Sequence, residues 1–306
     1  MTIGVVGLGL IGGSLMRALG GRGYDADPAA RAAAVADGFR VVETPAGLAG
    51  CELVLVAVPP GRTAEVVREV LDAVPGAAVA DTASVKAPVV EALAGTGERF
   101  VGAHPLAGAE TSGWAASSAD IVRGATWAIC PVDEGASLEP AARLAAAVDA
   151  LGGRLVACTA ADHDDAVART SHAPHLAATA LAGLAAGGLR AQLAGTGFRD
   201  MTRVARADAA LWTEILGLNR DRTLAALDEL TGRIAVLRDA VADPAALEAA
   251  WAEGGAALAE LDAAREPQWH ETEIAGGWAG LLALGRPLRR LSVTGADGTL
   301  RAEVAG

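Results

Sequence analysis

The segment IGVVGLGLIGG, residues 3–13, joins a run of β-branched residues to a glycine-rich turn and a helical stretch. The spacing Gly7-x-Gly9-x-x-Gly12 in this context is typical of a turn that binds a dinucleotide. The first glycine makes the tight bend, the second lets the backbone approach the pyrophosphate, and the third lets the helix pack closely on the strand. Free amides and the helix dipole then meet the phosphate charge. The predicted cofactor contacts in this turn are Gly7, Gly9, Leu10, Ile11 and Gly12.

The acid that binds the ribose of such a cofactor is expected about 20 residues past the first glycine. Asp25 lies 18 residues after Gly7. Its carboxylate would accept hydrogen bonds from the ribose 2′-hydroxyl and would repel a 2′-phosphate, so the sequence favours NAD over NADP. Residues 20–23 are few for ending a helix and reaching a second strand. We therefore expect an abbreviated strand there, with Asp27 as the alternative acid.

Short hydrophobic runs alternate with helical stretches through residues 1–160. The predicted strands begin near residues 3, 23, 40, 53, 78, 100, 127 and 155. Their nearly continuous hydrophobicity is typical of parallel strands covered on both faces, which predicts a Rossmann-type doubly wound α/β sheet. The fourth run ends in Val58 and Pro59, at the carboxyl edge where open α/β sheets bind ligands. Both residues are assigned to the cofactor site, the alternative being that the prolines only stop the strand.

From residue 161 to residue 284 the pattern changes to helical periodicity, which predicts an all-helical C-terminal domain. Three aspartates are candidate helix starts: Asp162, Asp208 and Asp243. The Ala- and Gly-rich stretch after His175 suits either a domain core or a dimer interface, and the sequence leaves both open. Residues 285–306 form a short tail, with a candidate hairpin at Asp297-Gly298.

The composition excludes several classes of partner. A formal net charge of −12 without a basic stripe argues against nucleic acid. The three cysteines are odd in number and lack metal-ligand spacing, so we expect reduced thiols in a cytoplasmic protein. The first 16 residues are interrupted by glycines and lack a basic start, unlike a secretory signal. Residues 173–189 are built from Ala and Gly, and we interpret them as a buried helix rather than a membrane span.

Polar side chains concentrate in four segments: DTASVK at 81–86, HPLAGAETSG at 104–113, SHAPH at 171–175 and RDMTR at 199–203. His104 follows a predicted strand and is the candidate general base, because an imidazole titrates near neutral pH. Ser84 would bond the same substrate hydroxyl or the nicotinamide, or else cap the next helix. Arg203 offers a two-pronged donor for a carboxylate, which implies an anionic substrate. His172 and His175 share a helical face, but no further ligands have suitable spacing, so no metal site is predicted.

Together these motifs resemble the prephenate/arogenate dehydrogenase family of tyrosine biosynthesis. The elements His-Pro-x-Ala-Gly at residues 104–108 and Phe-x-Asp-x-Thr-Arg at residues 198–203 are the specific part of a resemblance that spans residues 1 to about 260. The resemblance implies an NAD-binding Rossmann domain followed by a helical domain. That second domain would bind substrate and build much of a homodimer, with the active site in the cleft between the two.

The resemblance also implies roles for five residues. His104 would accept the proton of the ring 4-hydroxyl, Ser84 would assist it, Arg203 would hold a substrate carboxylate, His175 would face the substrate side chain, and Glu110 would lie near Arg203. Two departures from the family pattern concern positioning. Ala109 replaces a residue that is often polar, and residues 20–23 are shortened on the adenosine side.

The reaction implied is the NAD-dependent oxidative decarboxylation of prephenate to 4-hydroxyphenylpyruvate. Arogenate and a 4-amino-4-deoxy analogue are alternative substrates, because both undergo the same loss of hydride and carbon dioxide. A reductase of the 6-phosphogluconate dehydrogenase type would need a lysine in the second half, whereas the only lysine, Lys86, lies in the first. A non-catalytic NAD-binding regulatory protein is the remaining alternative. Retention of the polar motifs argues against it.

Overall fold

The computed structural model describes residues 1–133, 135–264, 267–294 and 299–306. Within these ranges the strands are β1 (Ile3–Val6), β2 (Arg22–Tyr24), β3 (Arg40–Val41), β4 (Leu53–Val56), β5 (Ala78–Asp81), β6 (Phe100–Pro105), β7 (Thr126–Cys130), β8 (Arg154–Ala157), β9 (Trp269–Ile274), β10 (Leu288–Val293) and β11 (Leu300–Ala305). The α-helices are α1 (Leu10–Leu19), α2 (Pro28–Ala36), α3 (Pro60–Ala73), α4 (Ala87–Ala92), α5 (Ala119–Val122), α6 (Glu139–Ala150), α7 (Ala160–Val167), α8 (Ala173–Leu184), α9 (Gly188–Gln192), α10 (Thr196–Thr202), α11 (Ala209–Leu218), α12 (Arg220–Ala240), α13 (Pro244–Ala263) and α14 (Gly277–Ala283).

The strands form a single sheet in the order β3-β2-β1-β4-β5-β6-β7-β8-β10-β11-β9. The chain starts in the middle at β1, builds outward to β3, and then crosses back to add β4, β5 and β6 on the other side. These six strands are parallel. This order is the doubly wound arrangement, and all eight strands predicted from the hydrophobic runs are present. The Rossmann-type fold class is therefore confirmed.

The direction of β7 and β8 differs from the prediction of parallel strands. β7 runs antiparallel to β6, with Pro105 opposite Trp127, and β8 is parallel to β7. Two neighbouring parallel strands need a crossover connection, which returns the chain to the opposite end of the strands. The chain between β6 and β7 instead turns back at the same end. Hydrophobicity does not reveal this difference, because β7 is buried whichever way it runs.

The tail continues the sheet. β10 pairs antiparallel with both β8 and β11, and β11 pairs with β9. The predicted turn at Asp297-Gly298 lies outside the described residues, although the strands on either side of it do pair. Strand β9 and helix α14 fall within residues 161–284, which the sequence predicted to be helical, and β9 pairs with the tail strand β11. The domain bounds 1–160, 161–284 and 285–306 stay a prediction.

Hydrophobic side chains are buried on both faces of the central strands. In β4, Leu53 and Leu55 belong to one apolar cluster, and the alternating Val54 and Val56 belong to another on the opposite face. All four side chains are fully buried. This alternation is the physical reason that the run lacks polar positions. The three cysteines form no disulfide in the structure.

The helical segment is capped largely where the sequence predicts. The side chain of Asp208 caps α11, and that of Asp243 caps α13. Helix α7 begins two residues before Asp162, because Thr159 supplies the cap. Among the described residues, no helix combines the length and hydrophobicity that crossing a bilayer requires.

The expectation that residues 173–189 form a buried helix is wrong for the single chain. Of the residues in α8, only Ala173 and Ala178 are buried. Large apolar side chains of the helical segment are exposed, among them Leu184, Leu189, Leu193, Ile234, Trp251 and Leu258. A surface of this kind is typical of a protein contact.

Candidate active site

The glycine turn connects β1 to α1 in a conformation that requires glycine. Gly7 has a φ of 90°, in the left-handed region that other residues rarely adopt. A Cβ on Gly12 would collide with the carbonyl oxygen of Gly7, so the helix and the strand approach as closely as glycine permits. A Cβ on Gly9, in contrast, would meet no atom within 4 Å. The space beside Gly9 is open to a ligand.

Helix α1 begins at Leu10, with no side-chain cap and no acidic residue in its first turn. Helix geometry leaves the amides of the first turn, including those of Leu10 and Ile11, without intrahelical acceptors. The helix dipole makes this end positive. These groups fit the pyrophosphate of a dinucleotide.

Asp25 contacts the glycine turn directly. Its Oδ2 accepts a hydrogen bond of 2.6 Å from the amide of Leu8. Asp27 has a different role, because its carboxylate caps α2 through the amide of Ala29. Of the two acids considered from sequence, Asp25 is therefore the one held beside the turn. Strand β2 is short, as expected. Gly21 precedes it and lies so close to β1 that a Cβ there would collide with the carbonyl oxygen of Ile3.

Val58 and Pro59 follow β4, and Pro59 is the N-cap residue of α3. The amide of Gly61, in the first turn of α3, donates a 2.6 Å hydrogen bond to Oε1 of Glu214. Glu214 lies on α11, so the helical segment reaches the sheet edge at the predicted cofactor site. No local feature of the sequence singles out Glu214.

Lys86 forms a buried ion pair with Asp81, and neither side chain has any exposed surface. The Nζ of Lys86 also donates to the carbonyl oxygen of Ala103 at 2.7 Å, and Oδ1 of Asp81 accepts the amide of Ala103 at 2.8 Å. The pair thus fixes the end of β5 against the residue that precedes His104. This position is too tightly enclosed for Lys86 to meet a substrate.

His104 lies one residue before the end of β6 and belongs to a chain of hydrogen bonds. Its Nδ1 lies 2.9 Å from Nε2 of His163, and Nδ1 of His163 lies 2.7 Å from Oδ1 of Asp164. The carboxylate of Asp164 also accepts the amides of Lys86 at 2.7 Å and Ala87 at 2.8 Å, at the start of α4. His163 and Asp164 are both buried. The candidate base is therefore held by two residues of α7.

Burial lowers the pKa of His104 well below 6.5, and the nearby His163, Lys86 and His172 lower it further. His104 is consequently neutral at neutral pH. A neutral imidazole can accept a proton, which is the property that a general base needs.

Ser84 lies half-buried in the loop between β5 and α4. Helix α4 has Lys86 as its N-cap residue and no side-chain cap of its own. Asp164 supplies its cap from another part of the chain. The alternative that Ser84 serves as a helix cap is therefore wrong, and its hydroxyl is left for another function.

Arg203 forms an ion pair with Glu110, the neighbour that the resemblance implies. The Arg203 side chain is 62% exposed and that of Glu110 is 28% exposed. Glu110 lies in the loop after β6, and Arg203 follows α10, so the pair joins the two halves of the chain. An incoming carboxylate would compete with Glu110 for Arg203.

His175 stacks on Trp212 of α11, with ring centroids 3.7 Å apart and an interplanar angle of 24°. His172 is buried and contacts Thr223 and Asn219 through its Nδ1. Burial lowers the pKa of His172 to about 4. His172 is therefore a neutral structural residue, whereas His175 remains half-buried at the surface of α8.

The contacts between the two halves gather at the carboxyl edge of β1, β4, β5 and β6. They are His104 with His163, Asp164 with the start of α4, Glu110 with Arg203, and Gly61 with Glu214. The glycine turn also lies at this edge, because it follows β1. Within the described residues, no group of three His, Cys, Asp or Glu side chains is arranged to hold a metal ion.

Four residues of this edge were missed from sequence: His163, Asp164, Trp212 and Glu214. The only local signal was a histidine next to an aspartate in the first turn of a predicted helix. Such a pair usually lies on a solvated face. Its significance depends on the packing of α7 against β6, which periodicity does not predict.

Two family models match consecutive parts of the chain. The nucleotide-binding domain of prephenate dehydrogenase matches residues 18–157, and the dimerization domain of prephenate dehydrogenase matches residues 159–249. The glycine turn precedes the first matched range. The boundary between the two matches falls just before α7, where helical periodicity begins.

Known proteins of similar sequence and structure agree with these matches. Cyclohexadienyl dehydrogenase of Zymomonas mobilis is 31% identical over 262 residues, covering 78% of this chain and 88% of that protein. Prephenate dehydrogenase of Lactococcus lactis is 28% identical over 241 residues. The match covers 72% of this chain and 65% of that protein. The crystal structure of Synechocystis arogenate dehydrogenase superposes with a TM-score of 0.72 at 27% identity, covering 85% of this chain and all of that one. The chain therefore belongs to the prephenate/arogenate dehydrogenase family.

Proposed function

We propose that this protein catalyses the NAD-dependent oxidative decarboxylation of prephenate to 4-hydroxyphenylpyruvate. The observation that carries the proposal is His104, a neutral imidazole held by a hydrogen bond to His163 at the sheet edge that also carries the glycine turn. Arg203 supplies a cation at the same edge for an anionic substrate.

The cofactor would lie across the carboxyl edge of the sheet. Gly7, Gly9 and Gly12, with the amides of Leu10 and Ile11, would hold the pyrophosphate, and Asp25 would bind the ribose. Val58 and Pro59 would lie along the nicotinamide side. Bound NAD would supply the nicotinamide that takes hydride from C4 of the substrate ring.

Four residues of this chain would then act on the bound substrate. His104 would accept the proton of the 4-hydroxyl, and Ser84 would hold that hydroxyl in line. Arg203 would leave its ion pair with Glu110 and bind a carboxylate of the substrate. His175 would face the side chain of the substrate. Loss of the carboxylate at C1 as carbon dioxide restores the electrons of the ring and makes it aromatic, so the enzyme need only align its substrate.

Arogenate and 4-amino-4-deoxyprephenate are alternative substrates. The relatives named above include a prephenate, a cyclohexadienyl and an arogenate dehydrogenase. Steady-state assays of NADH formation with each substrate test the proposal. We expect the highest kcat/KM with prephenate. A higher value with arogenate would transfer the proposal to that substrate, and no NADH with any of the three would favour a regulatory NAD-binding protein.

We also propose that the protein is a cytoplasmic homodimer built through its helical segment. The support is the match to a dimerization domain and the exposure of apolar side chains such as Trp251, at 77%, and Leu184, at 66%. Light scattering coupled to size-exclusion chromatography should give twice the chain mass of 30.5 kDa. A mass of one chain across the micromolar range would contradict this proposal.

A further inference from the structure

The contact between His104 and His163 raises a question of proton placement. A neutral histidine carries one proton on its two ring nitrogens, and the other nitrogen is an acceptor. His104 can act as a base toward substrate only through the nitrogen that is not bonded to His163. Because Nδ1 faces His163, that nitrogen is Nε2.

Asp164 sets the direction of the hydrogen bonds. Its carboxylate accepts hydrogen bonds from His163 and from the amides of Lys86 and Ala87. Its backbone carbonyl oxygen accepts a 2.7 Å hydrogen bond from the side-chain amide of Asn219. Burial raises the pKa of Asp164, but the hydrogen bonds from His163, Lys86 and Ala87 outweigh it, so the pKa is lower than usual. Asp164 is therefore an anion, and it can only accept.

The proton positions follow one from another. Because Asp164 accepts, Nδ1 of His163 must donate to it. Burial lowers the pKa of His163, so this ring is neutral and its Nε2 carries a lone pair. The Nδ1 of His104 must then donate to that lone pair. This leaves Nε2 of His104 without a proton.

We infer that His163 and Asp164 are positioning residues that hold His104 in the tautomer whose Nε2 is unprotonated, an inference that rests on the proposed role of His104 as the base. Residues of the second half of the chain thereby orient the base, which lies on a strand of the Rossmann sheet. Neither residue needs to touch the substrate.

The same chain of contacts supports His104 after the proton moves. As the O–H bond of the substrate hydroxyl breaks and Nε2–H forms, His104 becomes a cation. Its Nδ1–H then makes a charge-assisted hydrogen bond to His163, which is stronger than the neutral one. Asp164 supplies the negative charge behind His163. No proton needs to leave Nδ1. His163 and Asp164 therefore orient and stabilise His104 without gaining or losing a proton themselves.

The charged groups around His104 are consistent with this role. Lys86 lies nearby and disfavours a positive charge on His104, and Lys86 is itself paired with the buried Asp81. His172 also lies near His104 and is neutral, because burial lowers its pKa to about 4. Asp164 is the anion linked to His104 through hydrogen bonds.

Two substitutions at His163 separate positioning from packing. His163→Phe keeps a planar ring in the pocket but has no acceptor for Nδ1–H of His104. His163→Gln places an amide oxygen near the position of the imidazole Nε2. His270 is exposed on β9, so His270→Phe is the matched control. Asp164 is unsuitable for substitution, because it also caps α4.

We expect His163→Phe to lower kcat about 100-fold, with the affinity for NAD and the KM for substrate within about threefold of wild type. His163→Gln should recover at least about tenfold of that loss, and His270→Phe should behave as wild type. A His163→Phe variant within about threefold of the wild-type kcat would overturn the inference, and so would a His163→Gln variant no better than His163→Phe.

A second measurement does not depend on turnover. In protein labelled with ¹⁵N histidine, the imidazole spectrum of the cofactor-free enzyme at neutral pH should show His104 protonated at Nδ1 and unprotonated at Nε2. The His104→Asn variant assigns the signal. A proton on Nε2 of His104 in the wild type would overturn the inference even if His163→Phe failed to fold. If the wild type lacked activity but showed the expected tautomer, only the proposed function would fail.

Discussion

Nδ1 of His104 lies 2.9 Å from Nε2 of His163, and this contact joins the last residues of a sheet strand to a helix of the second half of the chain. Two further pairs, Glu110 with Arg203 and Gly61 with Glu214, cross the same cleft. The candidate site is therefore assembled from both halves, and its properties should respond to substitutions in either one.

Replacing Arg203 with alanine should weaken substrate binding. A two-pronged contact to a carboxylate is lost, so we expect the apparent KM for prephenate to rise about 10- to 100-fold, while kcat changes much less. Steady-state kinetics at saturating NAD measure this. The exposed pair of Arg301 and Glu273 provides the control, since Arg301→Ala removes a similar ion pair far from the site. An unchanged KM in Arg203→Ala would remove Arg203 from the substrate site.

The glycines of the turn should separate binding from folding. Gly9→Ala adds a methyl group where no atom lies within 4 Å, so the free energy of unfolding should change by less than about 1 kcal/mol. The affinity for NAD should fall about tenfold or more, because the backbone no longer approaches the pyrophosphate. Titration calorimetry and urea unfolding measure the two quantities.

Gly12→Ala is the matched counterpart, since its Cβ would collide with the carbonyl oxygen of Gly7. This variant should lose about 1–3 kcal/mol of stability. If Gly9→Ala bound NAD as tightly as the wild type, the assignment of this turn to the pyrophosphate would be wrong.

The acid limb of the pH profile should lie below the ordinary range of histidine. His104 must be neutral to accept a proton, and its pKa is held well below 6.5, chiefly by burial and then by His163, Lys86 and His172. The kcat/KM should therefore persist as the pH falls through 6.5 and decline only when the lowered pKa is reached. The profile of kcat/KM reports the free enzyme. A half-maximal value at pH 6.5 or above on the acid side would contradict a buried base.

The ion pair of Lys86 and Asp81 should be costly to break. Lys86→Met leaves a buried carboxylate without its cation, which we expect to lower the free energy of unfolding by about 3–5 kcal/mol. Adding Asp81→Asn removes the unpaired carboxylate, so the double variant should be more stable than Lys86→Met alone. Urea unfolding at neutral pH compares them. Equal stability of wild type and Lys86→Met would show that the pair is not a structural anchor of the His104 strand.

Much of the fold and part of the site can be predicted from the sequence, for identifiable reasons. The strands of the sheet are visible because β4 buries both Leu55 and Val56 on opposite faces. The glycine turn is visible because its spacing reflects steric requirements at Gly7 and Gly12. Asp25 follows from its distance along the chain. Each of these signals is local.

Signals that depend on tertiary packing were not visible. The reversal at β7 and the pairing of β9 with the tail are choices of direction and partner that hydrophobicity does not encode. His163 and Asp164 lie about 60 residues from His104 along the chain, and only the docking of α7 on β6 brings them together. The sequence could not decide whether α8 is exposed in the single chain, because an apolar helix has the same pattern whether its own domain or a second copy covers it.

We propose that this protein is a dehydrogenase whose base is His104. The most direct test follows NADH absorbance when prephenate is added to the protein and NAD, for the wild type and His104→Asn. We predict NADH formation by the wild type and a loss of about 1,000-fold or more in turnover for His104→Asn, with NAD affinity unchanged. Near-normal turnover by His104→Asn, or no NADH from the wild type with either prephenate or arogenate, would contradict the claim.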